Sequence, residues 1–261
     1  MSETAELALV TGASSGIGFE LARLFADDGY EVVVAADDDG IHAGAEKLAS
    51  TGAQVRAVQV DLREPDGVER LYRAATEGGR HVSVAALNAG TGRGGPFLEG
   101  DLESDFNIID LNVRSTVHLS KLVLRDMAAR GAGKVLYTSS VEAQMPGSLQ
   151  SMYAASKSFI QSFAEALHDE MRNTGVTVTS LMPGPTDTNF FARAGMASTV
   201  VGRMPKDDPS KVARQGYDAM MRGDRKVVAS SLLSKSMGLV NRFLPDSAKA
   251  VATRLISQPV R

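Results

Sequence analysis

Apolar residues follow two alternating rhythms along this chain. Short runs, several of them nearly continuous in Val, Leu and Ala, occupy 7–10, 31–36, 55–60, 82–87, 134–139, 176–181 and 226–229. That is the pattern of strands covered on both faces. Between them the spacing is helical. Ile17, Leu21, Leu24 and Phe25 recur at i, i+4, i+7 and i+8 and make one stripe of a helix that begins among glycines. Longer helical patterns cover about 102–130 and about 151–173. The alternation predicts an α/β, Rossmann-like fold: a doubly wound parallel sheet of about seven strands, helices on both faces, one domain over 1–261. Right-handed crossovers then bring the strand carboxyl ends, and any ligand, to one edge. The rhythm lapses at 185–209, where prolines and irregularly spaced apolar residues read as a lid.

Composition narrows the chemistry. A hydrophobic content of 43% with 23% charged residues suits a globular chain and not a disordered one. The absence of cysteine removes disulfides, thiolate metal sites and cysteine nucleophiles together. His42, His81, His118 and His168 lie far apart without ligand spacing, so no metal centre is expected. The first residues are acidic, unlike a signal peptide, and no apolar run approaches the ~20 residues that span a bilayer. A cytoplasmic protein is the expectation. The net charge of −3 is uneven: seven basic residues face only Asp246 in 225–261, leaving −9 on the preceding 224. So acidic a body is not expected to bind nucleic acid. The basic extension, about 231–261, carries Leu232, Leu233, Met237, Leu239, Val240, Phe243, Leu244, Val251, Leu255 and Ile256 among its charges. It packs on the acidic body or on a neighbouring subunit, the alternative being an anionic membrane surface.

Thr11-Gly12-Ala13-Ser14-Ser15-Gly16-Ile17-Gly18 joins the first strand to the first helix. Glycine lets backbone turn sharply and approach a phosphate, and the free N–H groups of the helix start face an anion. Gly12, Ser14, Ser15, Gly16, Ile17 and Gly18 are therefore the expected cradle of a dinucleotide. The same letters satisfy G-x-S-x-G, the nucleophile elbow of serine hydrolases, with Ser14 as nucleophile. That class needs a later acid and then a histidine, and the last histidine, His168, falls inside a helical pattern. Asp37 ends the second strand, where a carboxylate accepts hydrogen bonds from adenosine ribose hydroxyls and repels a 2′-phosphate. Asp38 and Asp39 add to that potential, and no Arg or Lys neighbours them in the sequence. NAD is expected in preference to NADP, unless the Asp run is only a solvated turn. Asp61, with Leu62, ends the third strand, where its carboxylate can meet the adenine amino group.

Tyr153 and Lys157 sit at i and i+4, one above the other on a helix face. Ser140 follows the fifth strand, and Asn112 lies within the long helical pattern before it. With Asn88-Ala89-Gly90 and Pro183-Gly184, these motifs run in order from about residue 5 to 190. The chain here resembles a short-chain dehydrogenase/reductase of the common single-domain type. The resemblance implies that Tyr153 is the general acid–base toward the substrate oxygen, with hydride exchanged at a nicotinamide. It implies that Lys157 holds the nicotinamide ribose, Ser140 positions the substrate oxygen, and Asn112 anchors a water linking Lys157 to solvent. Asn88, Ala89 and Gly90 would border the cofactor. Pro183, Gly184, Thr186 and Thr188 would cover its carboxamide. A free phenol titrates near ~10, so a base at neutral pH needs a drop of about three pH units, roughly 4 kcal/mol. Lys157 and the positive ring of the oxidised cofactor would supply it.

Two departures stand out. Leu87 replaces an asparagine common before Asn88, and Ala143 replaces a glycine after Ser140. Glu142 is expected to face solvent, the alternative being that it selects a polar or cationic substrate group. Past Thr188, Phe190, Phe191, Met196, Val200, Val201 and Met204 form an apolar lid with Gly195 and Gly202 as hinges, which suits a bulky, largely apolar alcohol or ketone. The resemblance also implies a homo-oligomer, dimer or tetramer, paired through the helices after the fourth and fifth strands. The competing class is a cofactor-binding scaffold without catalysis, which a missing Tyr, Lys or Ser would have favoured.

Overall fold

All seven apolar runs become strands: β1 (Leu7–Thr11), β2 (Glu31–Ala36), β3 (Val55–Gln59), β4 (Val82–Leu87), β5 (Gly133–Thr138), β6 (Val176–Pro183) and β7 (Lys226–Ala229). The computed structural model describes residues 6–229 and 245–260. Every strand pair is parallel and the order is β3-β2-β1-β4-β5-β6-β7. The runs are continuous because alternate side chains enter different cores. Leu7 and Leu9 belong to one apolar cluster, Ala8 and Val10 to the other.

Helices close both faces. α1 (Gly16–Asp27), α2 (Gly40–Ala49) and α9 (Pro209–Arg222) cover one side, with Leu21, Leu24, Phe25, Ile41, Leu48, Val212 and Met220 buried there. α3 (Pro65–Thr76), α5 (Ser115–Arg130) and α6 (Ser151–Glu170) cover the other through Val68, Leu71, Leu119, Val123, Ile160 and Leu167. The chain winds outward from β1 to β3, then crosses to β4 and winds the opposite way. The carboxyl ends of β1 and β4 therefore part at a switch point, where such sheets open a crevice.

The long helical pattern does not yield one helix. α4 (Leu102–Ile108) passes into a π-helical stretch, Ile109–Arg114, before α5 begins. A π turn inserts an extra residue that apolar spacing cannot register. Here it carries Asn112 inward, 1% exposed, with Nδ2 donating to Thr91 O (2.8 Å) and Ser156 Oγ (2.9 Å), and Oδ1 accepting from Thr91 N (2.8 Å).

The irregular segment 185–209 contains two short helices, α7 (Phe190–Arg193) and α8 (Val200–Arg203). Phe190, Phe191, Ala194, Met196 and Val201 pack there with Ile256 of α10 (Asp246–Ser257). Val200 N donates to Gln258 O (3.1 Å) and Val260 N to Ser198 O (2.9 Å), tying the carboxyl-terminal residues to this segment. Gly202 is no free hinge, since a Cβ there would lie 2.0 Å from Met196 O, whereas Gly195 (φ +68) has open space. In the basic extension, Val251 and Leu255 are exposed while Ile256 is packed. Leu232, Leu233, Met237, Leu239, Val240, Phe243 and Leu244 lie outside the described residues. Among the described residues no helix is long and apolar enough to cross a membrane.

Candidate active site

A cavity of about 1590 Å³ opens at the switch point. Around it stand Gly12, Ser14, Ser15, Gly16 and Ile17 of the first turn, Asp37, Asp61 and Leu62 at the ends of β2 and β3, and Asn88, Ala89 and Gly90 after β4. Ser140, Tyr153, Lys157, Pro183, Gly184, Thr186 and Thr188 complete the opposite wall. Two expected site residues lie just behind it: Gly18 beneath Gly12, and Asn112 behind Gly90 and Thr91.

Backbone contact explains the glycine turn. Gly12 and Gly16 have φ of +66° and +60°, and a Cβ on Gly12 would lie 2.8 Å from Ala89 Cα. A Cβ on Gly18 would sit 2.2 Å from Gly12 O and 2.6 Å from Asn88 Nδ2. Asn88 holds the splayed strands in place. Its Nδ2 donates to Thr11 O (3.2 Å) and Gly12 O (3.3 Å), and its Oδ1 accepts from Thr138 Oγ1 (3.0 Å). Gly18→Ala is therefore expected to displace the turn, costing about 1–3 kcal/mol of stability. Weakened NADH binding by fluorescence titration and a lower denaturation midpoint are the readouts.

The Asp cluster brings one correction. Arg63, two residues beyond Asp61, reaches Asp37 at 3.6 Å, so a basic group does neighbour the Asp37 carboxylate. It is engaged: Arg63 forms a fork onto Asp61, Nε to Oδ1 at 2.9 Å and Nη2 to Oδ2 at 2.7 Å, which holds the Asp61 carboxyl below its ordinary range. Asp38 accepts from Ser14 Oγ (2.7 Å) and Gly40 N (3.0 Å), leaving Asp37 the more open carboxylate. The Ser14 bond also removes the hydrolase reading. Its hydroxyl is committed to Asp38, and none of the four histidines lines the cavity.

Polar and charged groups are buried at the Tyr153 end of the cavity. Tyr153 is hydrogen-bonded to Ser140, which is 6% exposed. Burial, and then the Glu142 charge, push the Tyr153 phenol well above its ordinary value, with the Ser140 bond opposing them. Lys157, 5% exposed, donates to Thr138 O (2.8 Å), its Nζ lies 5.8 Å from the Tyr153 ring centroid, and burial lowers it to about 8. The expected lowering of the phenol is thus not produced by these side chains alone. For Asn112, the geometry narrows how the expected water could be held. Both its amide hydrogens are used on Thr91 and Ser156, so a water tied to Asn112 can bond only its oxygen or its backbone.

Glu142 is only partly exposed. Its Oε2 is shut off from water and has no hydrogen-bond partner among the described residues. Burial holds this carboxyl up to about 7, partly offset by a hydrogen bond from Gln150. Opposite it, the Phe190 ring lies 5.0 Å from that of Tyr153. Not expected from the sequence were Arg63 beside Asp61, Gln150 bonded to Glu142, and three cavity-lining residues of α10, Ala252, Thr253 and Ile256. Arg63 was visible as a base two residues from Asp61. Gln150 and α10 belong to no motif, and only packing brings them here.

The family model described as short chain dehydrogenase matches residues 6–198. The chain belongs to the short-chain dehydrogenase family. The oxidoreductase UcpA of Salmonella typhimurium is 32% identical over 213 residues, 80% of this chain and 78% of that protein. The 1-deoxy-11-beta-hydroxypentalenate dehydrogenase of Streptomyces exfoliatus is 37% identical over 185 residues, 69% of this chain and 67% of that protein. A short-chain dehydrogenase from Sphingobium yanoikuyae, solved in complex with NADPH, superposes with a TM-score of 0.81 at 25% identity, covering 93% of this chain and 97% of that one. This short-chain dehydrogenase is accordingly an NAD(P)-dependent oxidoreductase.

Proposed function

We propose that this dehydrogenase interconverts a secondary alcohol and its ketone, with NAD preferred to NADP, on a bulky and largely apolar substrate. The observation that carries the reading is the presence, in one cavity, of the Tyr153–Ser140 pair, the buried Lys157 and a glycine turn with room for backbone and phosphate but not for a Cβ. That room, with an open carboxylate at the end of β2, fits a nicotinamide dinucleotide. Gly12, Ser14, Ser15, Gly16 and Ile17 would hold its pyrophosphate, Asp37 its adenosine ribose, and Lys157 its nicotinamide ribose. When bound, the nicotinamide accepts or donates the hydride.

The protein's own groups do the rest. Ser140 and Tyr153 grip the substrate oxygen from two directions, fixing its position before reaction. Tyr153 Oη takes the hydroxyl proton in oxidation and returns it in reduction. Lys157 stabilises the phenolate charge by proximity. Phe190, Phe191, Val201, Met204 and Ile256 exclude water and favour apolar substrate surface. The relative named for a hydroxypentalenate is consistent with a bulky apolar alcohol.

Cofactor preference follows from charge. Asp37, Asp38, Asp39 and Asp61 outnumber Arg63, which is already paired with Asp61. Asp37→Ser removes the repulsion of a 2′-phosphate and releases Arg63 toward it. A contribution of roughly 1–3 kcal/mol corresponds to about five- to 150-fold. The ratio of kcat/KM for NADP over NAD should rise by that amount, and an unchanged ratio means that Asp37 is not the selector. Phe106, Ile109, Val117 and Phe159 remain exposed on α4, the π turn, α5 and α6, which supports self-association through that face. We place the protein in the cytoplasm.

A further inference from the structure

α10 docks by its polar side. Thr253 and Ser257, one helical turn apart, are 1% and 4% exposed, whereas the apolar Val251 and Leu255 are 47% and 58% exposed. A helix ordinarily turns its apolar stripe to the core, so the inward polar contacts call for an explanation. Gln150 Nε2 donates to Ser257 Oγ at 2.8 Å, and both residues are buried. Thr253 Oγ1 donates to Lys249 O at 2.9 Å and lies 3.4 Å from Met145 Sδ.

Both contacts land on the segment that joins β5 to α6. Ser140 stands near its start and Gln150 closes it, as the residue at which α6 begins. Gln150 O accepts from Ala154 N at 2.9 Å, in the first turn of the helix that carries Tyr153 and Lys157. The residue before it, Leu149, has φ +65°, alone among the described non-glycine residues, and its carbonyl accepts from Gly95 N at 2.8 Å. Backbone in so sparsely populated a conformation persists only where its surroundings hold it. On another side α10 meets the lid: Ile256 packs with Phe190, Phe191 and Val201, and Pro259, just past the helix, bridges to Thr199. Between these two anchorages Ala252, Thr253 and Ile256 line the cavity. This wall lies beyond residues 6–198, the part of the chain that the family model matches.

Resting on the reading of this cavity as the dehydrogenase site, we propose that Gln150 and Ser257 are positioning residues. Their bond pins the carboxyl-terminal helix to the start of α6 and fixes one wall of the substrate pocket relative to Tyr153. A buried amide–hydroxyl bond is directional, so it sets a spacing that apolar packing by itself leaves free to slide. A substrate whose frame extends to α10 gains binding from that wall, and one too small to reach it does not. The latch therefore determines the preference for large over small ketones, and it leaves the proton step to Tyr153 and Ser140.

Deoxybenzoin, with two aromatic rings, and cyclohexanone, with one small ring, are compared as substrates of the full chain with NADH. Ser257→Ala should raise KM for deoxybenzoin about tenfold, the factor that one buried hydrogen bond is worth. Its kcat should stay nearly unchanged, because only binding common to ground and transition states is lost. KM for cyclohexanone, and NADH affinity by fluorescence titration, should keep the parent's values. Gln150→Ala should lower the deoxybenzoin-to-cyclohexanone ratio of kcat/KM in the same way. The double variant should cost no more than the larger single loss, since both substitutions remove one shared bond. A parent-like ratio in Ser257→Ala overturns the proposal. So do equal losses for both ketones, which mark a general loss of structure, and losses that add in the double variant. Failure of the underlying reading looks different: the parent would then bind no NADH or reduce neither ketone, and the latch falls with it.

Discussion

Tyr153→Phe is expected to lose about 10²–10⁴-fold in turnover, the usual contribution of a positioned acid–base group. The substitution removes one oxygen and little else. The ring still packs against Phe190 at 5.0 Å, and Ser140 still accepts from Glu142 N. The glycine turn and Asp37 are not in contact with this hydroxyl, so NADH titration should give the parent's affinity. Loss of kcat with binding retained is the signature of an interaction used only in the transition state. Parent-like turnover in the phenylalanine variant would show that the proton leaves by another route.

Glu142→Gln should make the protein more stable above pH 7. In the folded chain this carboxyl titrates at about 7 rather than near 4.5, because burial penalises the anion. The folded state therefore binds the proton more tightly than the unfolded chain, and stability falls as pH rises between those two values. Below the lower value both states are protonated and the cost vanishes. Above the upper value it is complete, at most roughly 3 kcal/mol. Glutamine keeps the shape and has no charge to bury. Denaturation midpoints of the variant and parent should coincide near pH 4 and separate through pH 5–8. Lys157 acts in the opposite sense. Its folded-state value of about 8 lies below the ordinary 10.5, so the cost of burying its ammonium fades as pH rises through that interval. The parent should thus be weakest near pH 7–8, and a variant no more stable than the parent at pH 8 would show that Glu142 is not a buried anion.

Much of this architecture was legible without coordinates because it depends on local repetition. Seven apolar runs separated by helical spacing leave little choice beyond a parallel sheet with two covered faces, and each run became a strand. The glycines at 12, 16 and 18 were equally readable, because a positive φ or a Cβ with nowhere to go is a property of the residue type. The same is true of Tyr153 and Lys157, which one helical turn brings to the same face.

Other features depended on what the fold brings together over long distances. No spacing rule shows a π turn, since the extra residue at 109–114 is compensated by the bonds of Asn112 to Thr91 and Ser156. Arg63 counts as a neighbour of Asp37 only because β2 and β3 pair side by side. The sequence pointed Glu142 toward solvent, as it would most isolated glutamates. Its Oε2 is shut off from water instead, and Gln150 bonds to the carboxyl. The sequence alone thus determined the layers, the glycine turn and the shared helix face of Tyr153 and Lys157, because these follow from periodicity and residue chemistry. Tertiary structure alone decided which charges are buried and which stand near one another, because desolvation and Coulomb energies are set by distances that chain order does not contain.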